Sequence, residues 1–545
     1  MYLDPLTSNL GQNRAKHLAR RCCFHYNKDL IDVLSNLTPE QAIDHLLSDN
    51  TITWAEPYDP LPLEAPHGYW LSSGIYPPDI PNQGRKRNLI SGWWWYNMIN
   101  RNNFRDKMSF FLHTTFTISK GDVGASHYYL DHLLLLDFYS IGNLKDLAKK
   151  ITLDNAMLNY LDNTQNNANN PNENYAREFL ELFTITKGQQ IAVGDYTTYT
   201  ETDVQQAAKV FTGFKTKLDR TIIDPDTNIP MGRLSVNNHD QNDKTFSHAF
   251  NNYVLTGGTN ESTIFQELHE FVDMIFNQQA TAIAYVRKLY KFFVKSEWDN
   301  DVEQNIIIPL ADDLYNNGYE IEPVIRRLLY SEHFFDVDSD PTDEILGSIV
   351  KSPLQLFSES ISTLGYIPVA PQFISGSVDD FYRFWVYFAS NTWFPMAGMS
   401  IHAPVTVAGY PGVYQAPDYD RHWFNTNTII ARYRLMECLI SGRNRVGGNG
   451  LIGSELDSVA FITNFSTTPA QIYIVIEELS DILYPHPIDT DRKEYFAQLI
   501  LDGYPSYYWS DAWGDYLATG DDTIVKARLD LLLQSMINAP EFQLM

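Results

Sequence analysis

The residues best suited to chemistry lie in one short segment, Pro171-Asn-Glu-Asn-Tyr-Ala-Arg-Glu-Phe-Leu-Glu-Leu-Phe183. On a helix, Glu173, Arg177, Glu178 and Glu181 fall within roughly 140° of arc, and apolar residues fill the other side. Carboxylates that share one face raise each other's pKa, so they can serve as acid and base or bind a hard cation. The alternative is a solvent-exposed face on which Arg177 pairs with the glutamates one helical turn away.

A second candidate is the loop His239-Asp-Gln-Asn-Asp-Lys244, which brings an imidazole, carboxylates and an amine together within a few residues. Loops often present such groups to a cleft. We therefore predict that His239 is catalytic and that Asp240 and Lys244 bind substrate. The alternative is an Asx-rich turn whose side chains bond to the local backbone.

Two further histidine patterns are compatible with either function or packing. His113, in Leu112-His-Thr-Thr-Phe116, is a candidate proton relay, although a single histidine is more often a hydrogen-bonded core residue. After Ser126, the side chains of His127 and Asp131 share a helix face, while His132 is rotated by about 140°. An acidic neighbour orients functional histidines, but it also satisfies a buried one.

A calcium-loop pattern begins at Asp336, with alternate aspartates in Asp336-Val-Asp-Ser-Asp-Pro-Thr-Asp-Glu344. Pro341 stands where an EF-hand needs glycine, and Gly347 stands where it needs the bidentate glutamate. The segment fails as an EF-hand, but a looser site for a divalent metal such as calcium stays open. No other cofactor is evident, since nucleophile-elbow, zinc-protease, Walker and dinucleotide motifs are not found.

Aromatic side chains are concentrated in Trp93-Trp-Trp-Tyr96 and in Tyr504–Tyr516, where aspartates are interspersed. Sugar-binding clefts place aromatic faces against the C–H faces of the sugar and carboxylates against its hydroxyls. Aromatic helices that pack in a large core give the same pattern, so both interpretations stand.

The charge balance excludes one class of partner. The chain has 545 residues, and its 40 Lys+Arg oppose 67 Asp+Glu for a net charge of −27. Repulsion from phosphate argues against binding to nucleic acid or anionic lipid, and the densest basic clusters, Arg14–Arg21 and Arg85–Arg87, are short. The three cysteines, Cys22, Cys23 and Cys438, are too few for a disulfide framework.

The sequence contains no run of the ~18 apolar residues that a membrane-spanning helix needs. The first residues also lack the basic and apolar regions of a signal peptide. We therefore expect no transmembrane segment. The location is left open between the cytoplasm and export with a partner to the periplasm or cell surface.

Hydrophobic periodicity predicts a mostly α-helical fold, one large multi-helical domain over 1–545. Residues 215–260 predict a small β-hairpin insertion, and 392–425 a long structured Pro/Gly/aromatic loop. A second ordered loop is expected at 51–85, after the helix start signalled by Thr38-Pro-Glu-Gln41. The predicted helices are 12–24, 87–119, 124–140, 143–161, 171–186, 201–214, 261–277, 279–295, 302–317, 320–331, 346–365, 379–390, 426–442, 467–481, 489–502 and 525–537.

Three motifs together resemble one bacterial family, the domain of unknown function 1800. They are Ala156–Asp162, Pro171–Thr184 and Tyr199–Phe214, and the landmarks around them occur in the family's order. The further landmarks are Lys16–Phe24, His239–Phe246, Ile283–Val294, Lys351-Ser-Pro353, Pro404–Pro411, Trp423, Arg432 and Pro540–Gln543.

The resemblance covers nearly the whole chain and implies a large, mostly helical bacterial protein. Its members are often encoded beside a sulfatase-like family with an export signal, which implies an envelope role and an exported sulfatase-like partner. One position departs from the family pattern. Where members commonly show Trp-His-Asn-His-Phe, this chain has Thr115 at the second histidine position, which weighs against a two-histidine metal site at His113.

Two functional hypotheses follow. In the first, an envelope-associated protein binds or acts on a glycan or similar polar polymer through a cleft lined by the 171–183 face and the 239–244 loop. Glu178 or Glu181 is the acid/base, Glu173 and Arg177 bind substrate, and the chemistry is acid/base or metal-assisted hydrolysis. In the second, the protein is a non-enzymatic structural or partner protein, and the polar motif is a buried ion network.

Overall fold

A computed structural model of the protein describes residues 2–48, 57, 59, 69–71, 82–337, 344–366, 382–410 and 419–545. Within these residues the fold consists of α-helices with short loops and three small two-stranded antiparallel ribbons. The prediction of a mostly α-helical, multi-helical fold is confirmed. In the described part of the chain, no helix combines the length and the apolar character needed to cross a membrane.

The first ten α-helices lie between residues 11 and 210. They are α1 (Gly11–Cys22), α2 (Lys28–Ser35), α3 (Pro39–Leu47), α4 (Gln83–Ile99), α5 (Phe104–Thr115), α6 (Ser126–Phe138), α7 (Leu144–Ile151), α8 (Asn155–Tyr160), α9 (Glu173–Glu178) and α10 (Glu201–Val210).

The remaining α-helices follow the ribbons. They are α11 (Glu261–Phe276), α12 (Gln279–Phe293), α13 (Asn300–Val302), α14 (Ile308–Asn316), α15 (Ile321–Tyr330), α16 (Pro353–Thr363), α17 (Phe394–Met396), α18 (Ile429–Ser441), α19 (Ser458–Phe465), α20 (Ile472–Leu483), α21 (Thr490–Leu501), α22 (Tyr507–Thr519) and α23 (Thr523–Ile537).

Wider and tighter helical segments also occur. The π-helical segments are Phe179–Phe183, Glu303–Ile307 and Tyr382–Trp393, and the 3₁₀ segments are Asn163–Gln165, Val236–Asn238, His248–Phe250, His333–Phe335, Tyr419–Trp423 and Pro540–Gln543.

Strand pairing is local. The strands are β1 (Gln190–Ala192), β2 (Asp195–Tyr196), β3 (Phe214–Lys215), β4 (Arg233–Leu234), β5 (Lys244–Thr245) and β6 (Val254–Leu255). Each ribbon pairs consecutive strands, β1 with β2, β3 with β4 and β5 with β6. The second and third ribbons lie in the predicted insertion, whereas no sequence pattern predicted the first.

Side-chain caps explain several helix starts. Thr38 accepts a hydrogen bond from the backbone N–H of Gln41, and the Gln41 side chain accepts one from the backbone N–H of Thr38, which forms the predicted capping box. The Asn103 side chain caps α5 by accepting from Arg105 N at 2.9 Å. This cap divides the single helix predicted over 87–119 into α4 and α5, because an asparagine can bond the local backbone in place of a helical carbonyl.

The aromatic stretches contribute mainly to the core. Trp93, Trp94 and Trp95 are buried in α4, and Trp509 and Trp513 are buried in α22. The sequence did not predict α22, because its many aromatic residues obscure the helical periodicity. The predicted loop at 392–425 has turns from 397 to 410, and its residues 411–418 lie outside the described residues, as does most of the predicted loop at 51–85.

The first helix is buried against the last third of the chain. Arg20 of α1 forms an ion pair with Glu359 of α16, and its Nη2 donates to the backbone oxygens of Ile482 and Leu483. Apolar side chains from Leu6 to Phe542 form one contiguous core. The prediction of a single domain is compatible with this packing and stays a prediction.

Candidate functional site

The 171–183 segment combines a short α-helix with a π-helical turn. Asn172 caps α9 by accepting from Asn174 N at 3.0 Å. After Glu178 the backbone widens into the π-helix Phe179–Phe183, and the Thr184 hydroxyl donates to the carbonyl oxygen of Phe179 at 2.6 Å. The predicted continuous helix to residue 186 is therefore shorter and changes its pitch. π-Turns of this kind are frequent at functional sites.

Arg177 is fixed by two carboxylates on the partly exposed side of α9. Its Nη1 and Nη2 donate to the two carboxylate oxygens of Glu201 at 3.0 and 2.6 Å, and Nη2 also donates to Glu173 at 3.1 Å. The predicted pair with Glu173 is present. Glu201 lies in the first turn of α10, a distant position that spacing within the motif cannot indicate. The hydrogen bonds with Glu201 raise the pKa of Arg177 further above its ordinary value.

Glu181 pairs with Lys187 instead of Arg177. The Lys187 ammonium donates to Glu181 Oε1 and lies 5.4 Å from the ring centroid of Tyr196. The buried Tyr199 is also close, since the Glu181 carboxylate contributes to raising its pKa. Widening of the helix after Glu178 turns Glu181 away from the direction that a regular α-helix predicts.

Glu178 differs from its neighbours because its carboxyl group makes no hydrogen bond or ion pair with any residue that the structure describes. The side chain is half-buried at the end of α9. Burial raises the pKa of Glu178 to about 7, and the negative charge of Glu181 adds to this effect. Tyr160 lies close enough for its own pKa to be raised by Glu178.

These side chains form what we call the Glu178 patch: Glu178, Glu181, Lys187, Tyr160, Tyr196 and Tyr199. A carboxyl group with a pKa near neutrality can donate a proton and take it back. The second carboxyl group, that of Glu181, lies nearby and is bound by the Lys187 ammonium group. The partly exposed rings of Tyr160 and Tyr196 provide surfaces against which a sugar or similar polar ring can pack.

The 239–244 loop is a buried network. His239 Nε2 lies 3.0 Å from Glu267 Oε2, and Lys244 Nζ lies 2.6 Å from Glu267 Oε1. His239 Nδ1 lies 2.9 Å from the carbonyl oxygen of Thr212, and Asp240 receives the Asn242 backbone N–H at 2.9 Å. The side chains of His239, Lys244 and Glu267 are completely buried.

The two predicted halves of the cleft lie at opposite ends of α10. Arg177 binds Glu201 at the start of this helix, and His239 contacts Thr212 just after its end. The helix between them is 10 residues long, which corresponds to about 15 Å. The structure therefore brings Glu173, Arg177, Glu178 and Glu181 together, and it holds His239, Asp240 and Lys244 in a separate cluster.

His113 belongs to a third, buried group. Its ring centroid lies 4.6 Å from that of His402 and 6.2 Å from that of His132. Neither ring nitrogen has a hydrogen-bond partner among the described residues, and burial lowers the pKa of His113 well below its ordinary value. His132 Nδ1 lies 2.9 Å from Asp154 Oδ2, so the carboxylate partner of this histidine comes from the start of α8.

The predicted calcium loop is described only at its ends. The Asp336 carboxylate accepts the backbone N–H groups of Ile345 and Leu346 at 2.7 and 2.8 Å. Residues 338–343 lie outside the described residues, so the calcium prediction stays a prediction. Within the described ranges, no group of three or more His, Cys, Asp or Glu side chains is arranged to hold a metal ion.

Sequence reasoning missed Glu201, Lys187, Tyr199 and Glu267. The family-like segment Tyr199–Phe214 contains two of them, which is the one signal that could have drawn attention to Glu201 and Tyr199. Glu267 lies on the apolar helix α11, where a glutamate among buried residues signals an internal partner.

Comparison with known proteins gives one match. The family model described as "Protein of unknown function (DUF1800)" matches residues 17–544. No curated protein and no solved structure matches the chain. Because the match covers nearly all 545 residues and includes both the 171–183 segment and the 239–244 loop, the chain belongs to the DUF1800 family.

Proposed function

We propose that the protein is a hydrolase that acts on a glycan or similar polar polymer, with Glu178 as the acid/base residue. The observation that carries this proposal is the half-buried Glu178 carboxyl, which has no partner among the described residues and lies close to Glu181. The family resemblance adds an envelope location to the proposal. In the neighbouring positions, Arg177 supports the patch by binding both Glu173 and Glu201.

The proposed reaction needs one protonated and one ionised carboxyl group. Protonated Glu178 donates its proton to the leaving oxygen of the polymer as the bond to that oxygen breaks. Glu181 either takes a proton from the attacking water, or attacks the sugar carbon itself and forms an ester that water then hydrolyses, with Glu178 taking the proton from that water. The Lys187 ammonium group holds Glu181 in place through an ion pair. Tyr160 and Tyr196 are partly exposed and offer their rings to the substrate.

Cleavage assays with soluble polysaccharides test this proposal. Wild-type protein should release new reducing ends, and Glu178→Gln should lower this rate by about 10²–10⁴-fold, because it removes the proton donor. Since Glu178 must be protonated and its pKa is about 7, the rate should fall as the pH rises above 7.

The matched control is Glu40→Gln, an exposed glutamate in the first turn of α3, which should leave the rate unchanged. A Glu178→Gln protein that cleaves as fast as wild type would contradict the proposal, and so would the absence of cleavage of every polysaccharide by wild-type protein.

A non-enzymatic structural or partner role, together with a sulfatase-like exported protein, is the second candidate. The network of Glu267 with His239 and Lys244 favours it for the 239–244 loop, because completely buried groups that bind each other hold helices together. On this alternative, Glu178→Gln changes no catalytic rate.

A further inference from the structure

A cavity distinct from the Glu178 patch lies between α1, α5, α12 and the start of α16. Its volume is about 60 Å³, and its mouth opens to solvent. The aromatic rings of Phe24, Phe110, Phe292 and Trp423 line it. This volume is several times the roughly 10–15 Å³ that one water molecule needs, so it admits a small polyatomic ion. Aromatic walls exclude water and so strengthen any charge interaction inside.

The polar lining of this cavity is mainly cationic. Arg21, Lys107 and Lys291 contribute three basic groups, and Asp420 contributes a carboxylate that already accepts the backbone N–H of Val350 at 2.6 Å. The whole chain has a net charge of −27. The cavity is thus a locally basic region in a protein whose net charge is negative.

Arg21 has unused hydrogen-bond donors inside the protein. Its side chain is buried, and Nη2 donates to the backbone oxygens of Ile345 and Met545 at 3.2 and 2.9 Å. Nε and Nη1 have no acceptor among the described residues. A buried guanidinium with unmet donors is costly, so a bound acceptor would stabilise it.

Lys107 and Gln355 extend this set of donors. Lys107 Nζ donates to Gln355 Oε1 at 2.5 Å, and the Nε2 group of Gln355 has no acceptor in the described part of the chain. Burial lowers the pKa of Lys107 to about 7 and that of Lys291 to about 8. A negative charge in the cavity would favour the protonated form of both amines.

We propose that this cavity binds a phosphate-type oxyanion, either free or as the ester group of a small molecule. Arg21, Lys107 and Gln355 are the buried donors, and the partly exposed Lys291 meets the ligand near the mouth. Oxyanions fit this set because they offer several acceptor oxygens and a negative charge to guanidinium, ammonium and amide groups at once. The site is independent of the hydrolytic proposal.

Isothermal titration calorimetry of the full-length protein tests this inference. Phosphate and sulfate are titrated at pH 6.5 into a sodium chloride buffer of constant ionic strength, and one anion should bind per chain. Lys291→Gln should weaken the affinity by about tenfold, as expected for loss of one charged contact. Lys107→Gln, deeper in the cavity, should abolish binding, and raising the pH to 9 should weaken it because both lysines lose protons.

Lys295→Gln is the matched control. It removes the same charge four residues along the chain but from a side chain that does not line the cavity, so the affinity should change by less than about twofold. Tighter binding of phenyl phosphate than of inorganic phosphate would identify an ester ligand, and equal binding the free ion. Equal weakening by Lys291→Gln and Lys295→Gln, or no binding of either anion, would overturn the inference.

Discussion

At the scale of single residues, the four glutamates around Arg177 differ through their partners. Glu173 and Glu201 bind Arg177, and Glu181 binds Lys187. Glu178 has no such partner among the described residues, and its pKa rises to about 7 because burial and Glu181 disfavour its ionised form. By residue type alone, Glu178 and Glu181 are equal candidates for the acid/base role. Their different partners in the structure favour Glu178 as the proton donor.

Exposure predicts how strongly each ion pair stabilises the protein. Arg177 and its partners have side chains more than a third exposed, so Arg177→Ala should lower the free energy of unfolding by about 1 kcal/mol or less. Lys244 and Glu267 are completely buried, so Lys244→Ala should cost about 3–5 kcal/mol because it leaves Glu267 uncompensated. Urea unfolding followed by circular dichroism measures both values.

The reverse order of the two stability costs would contradict this prediction. If Arg177→Ala unfolds the protein and Lys244→Ala is nearly neutral, then the 171–183 face is the structural network and the 239–244 loop is not.

At the scale of helices and ribbons, patterns of neighbouring residues predicted helix starts, but they did not predict the π-turn or the contacts between helices. The capping box at Thr38 was readable because both of its partners lie within four residues. The π-turn at Phe179–Phe183 was not readable, because its stabilising bond from Thr184 also fits an ordinary helix end. The Arg177–Glu201 contact joins two helices and depends on tertiary packing that one sequence does not reveal.

The π-turn should depend on the Thr184 hydroxyl. Thr184→Val keeps the shape of the side chain but removes the hydroxyl that donates to the carbonyl oxygen of Phe179, so the free energy of unfolding should fall by about 0.5–1.5 kcal/mol. Because the turn orients Glu181, the cleavage rate should fall as well. Chemical unfolding and the polysaccharide assay measure the two effects.

Thr519→Val is the control for this variant. Its hydroxyl donates to the carbonyl oxygen of Asp515 at 2.7 Å on an exposed helix surface, where water can replace it. Its loss should cost about 0.5 kcal/mol or less. Equal costs for the two variants would show that the π-turn has no special dependence on its hydroxyl.

At the scale of the whole molecule, α1 connects the beginning of the chain to its last third. Glu359 of α16 lies within 2.8 Å of Arg20 and 2.9 Å of Lys351, and Arg20 also reaches the end of α20 through Ile482 and Leu483. The short basic cluster Arg14–Arg21 therefore lies largely inside the protein. These buried contacts should make the two ends of the chain unfold together.

Hydrogen–deuterium exchange tests this coupling. Glu359→Gln removes the charge that Arg20 and Lys351 share, so peptides from α1 and from α20 should lose protection to a similar extent. Glu541→Gln, which removes a partly exposed partner of Arg492, should leave both regions protected. Loss of protection in α1 alone would contradict the coupling and the single-domain prediction.

The central claim is that Glu178 holds a proton near neutral pH beside Glu181, which Lys187 binds. A difference titration of wild-type protein against Glu178→Gln, recorded between pH 3 and pH 9, measures this directly because the two proteins differ by one titrating group. We predict a difference of one proton with its midpoint near pH 7. A midpoint near the ordinary glutamate value of about 4.3 would contradict the account, because Glu178 would then be ionised at neutral pH and unable to donate a proton.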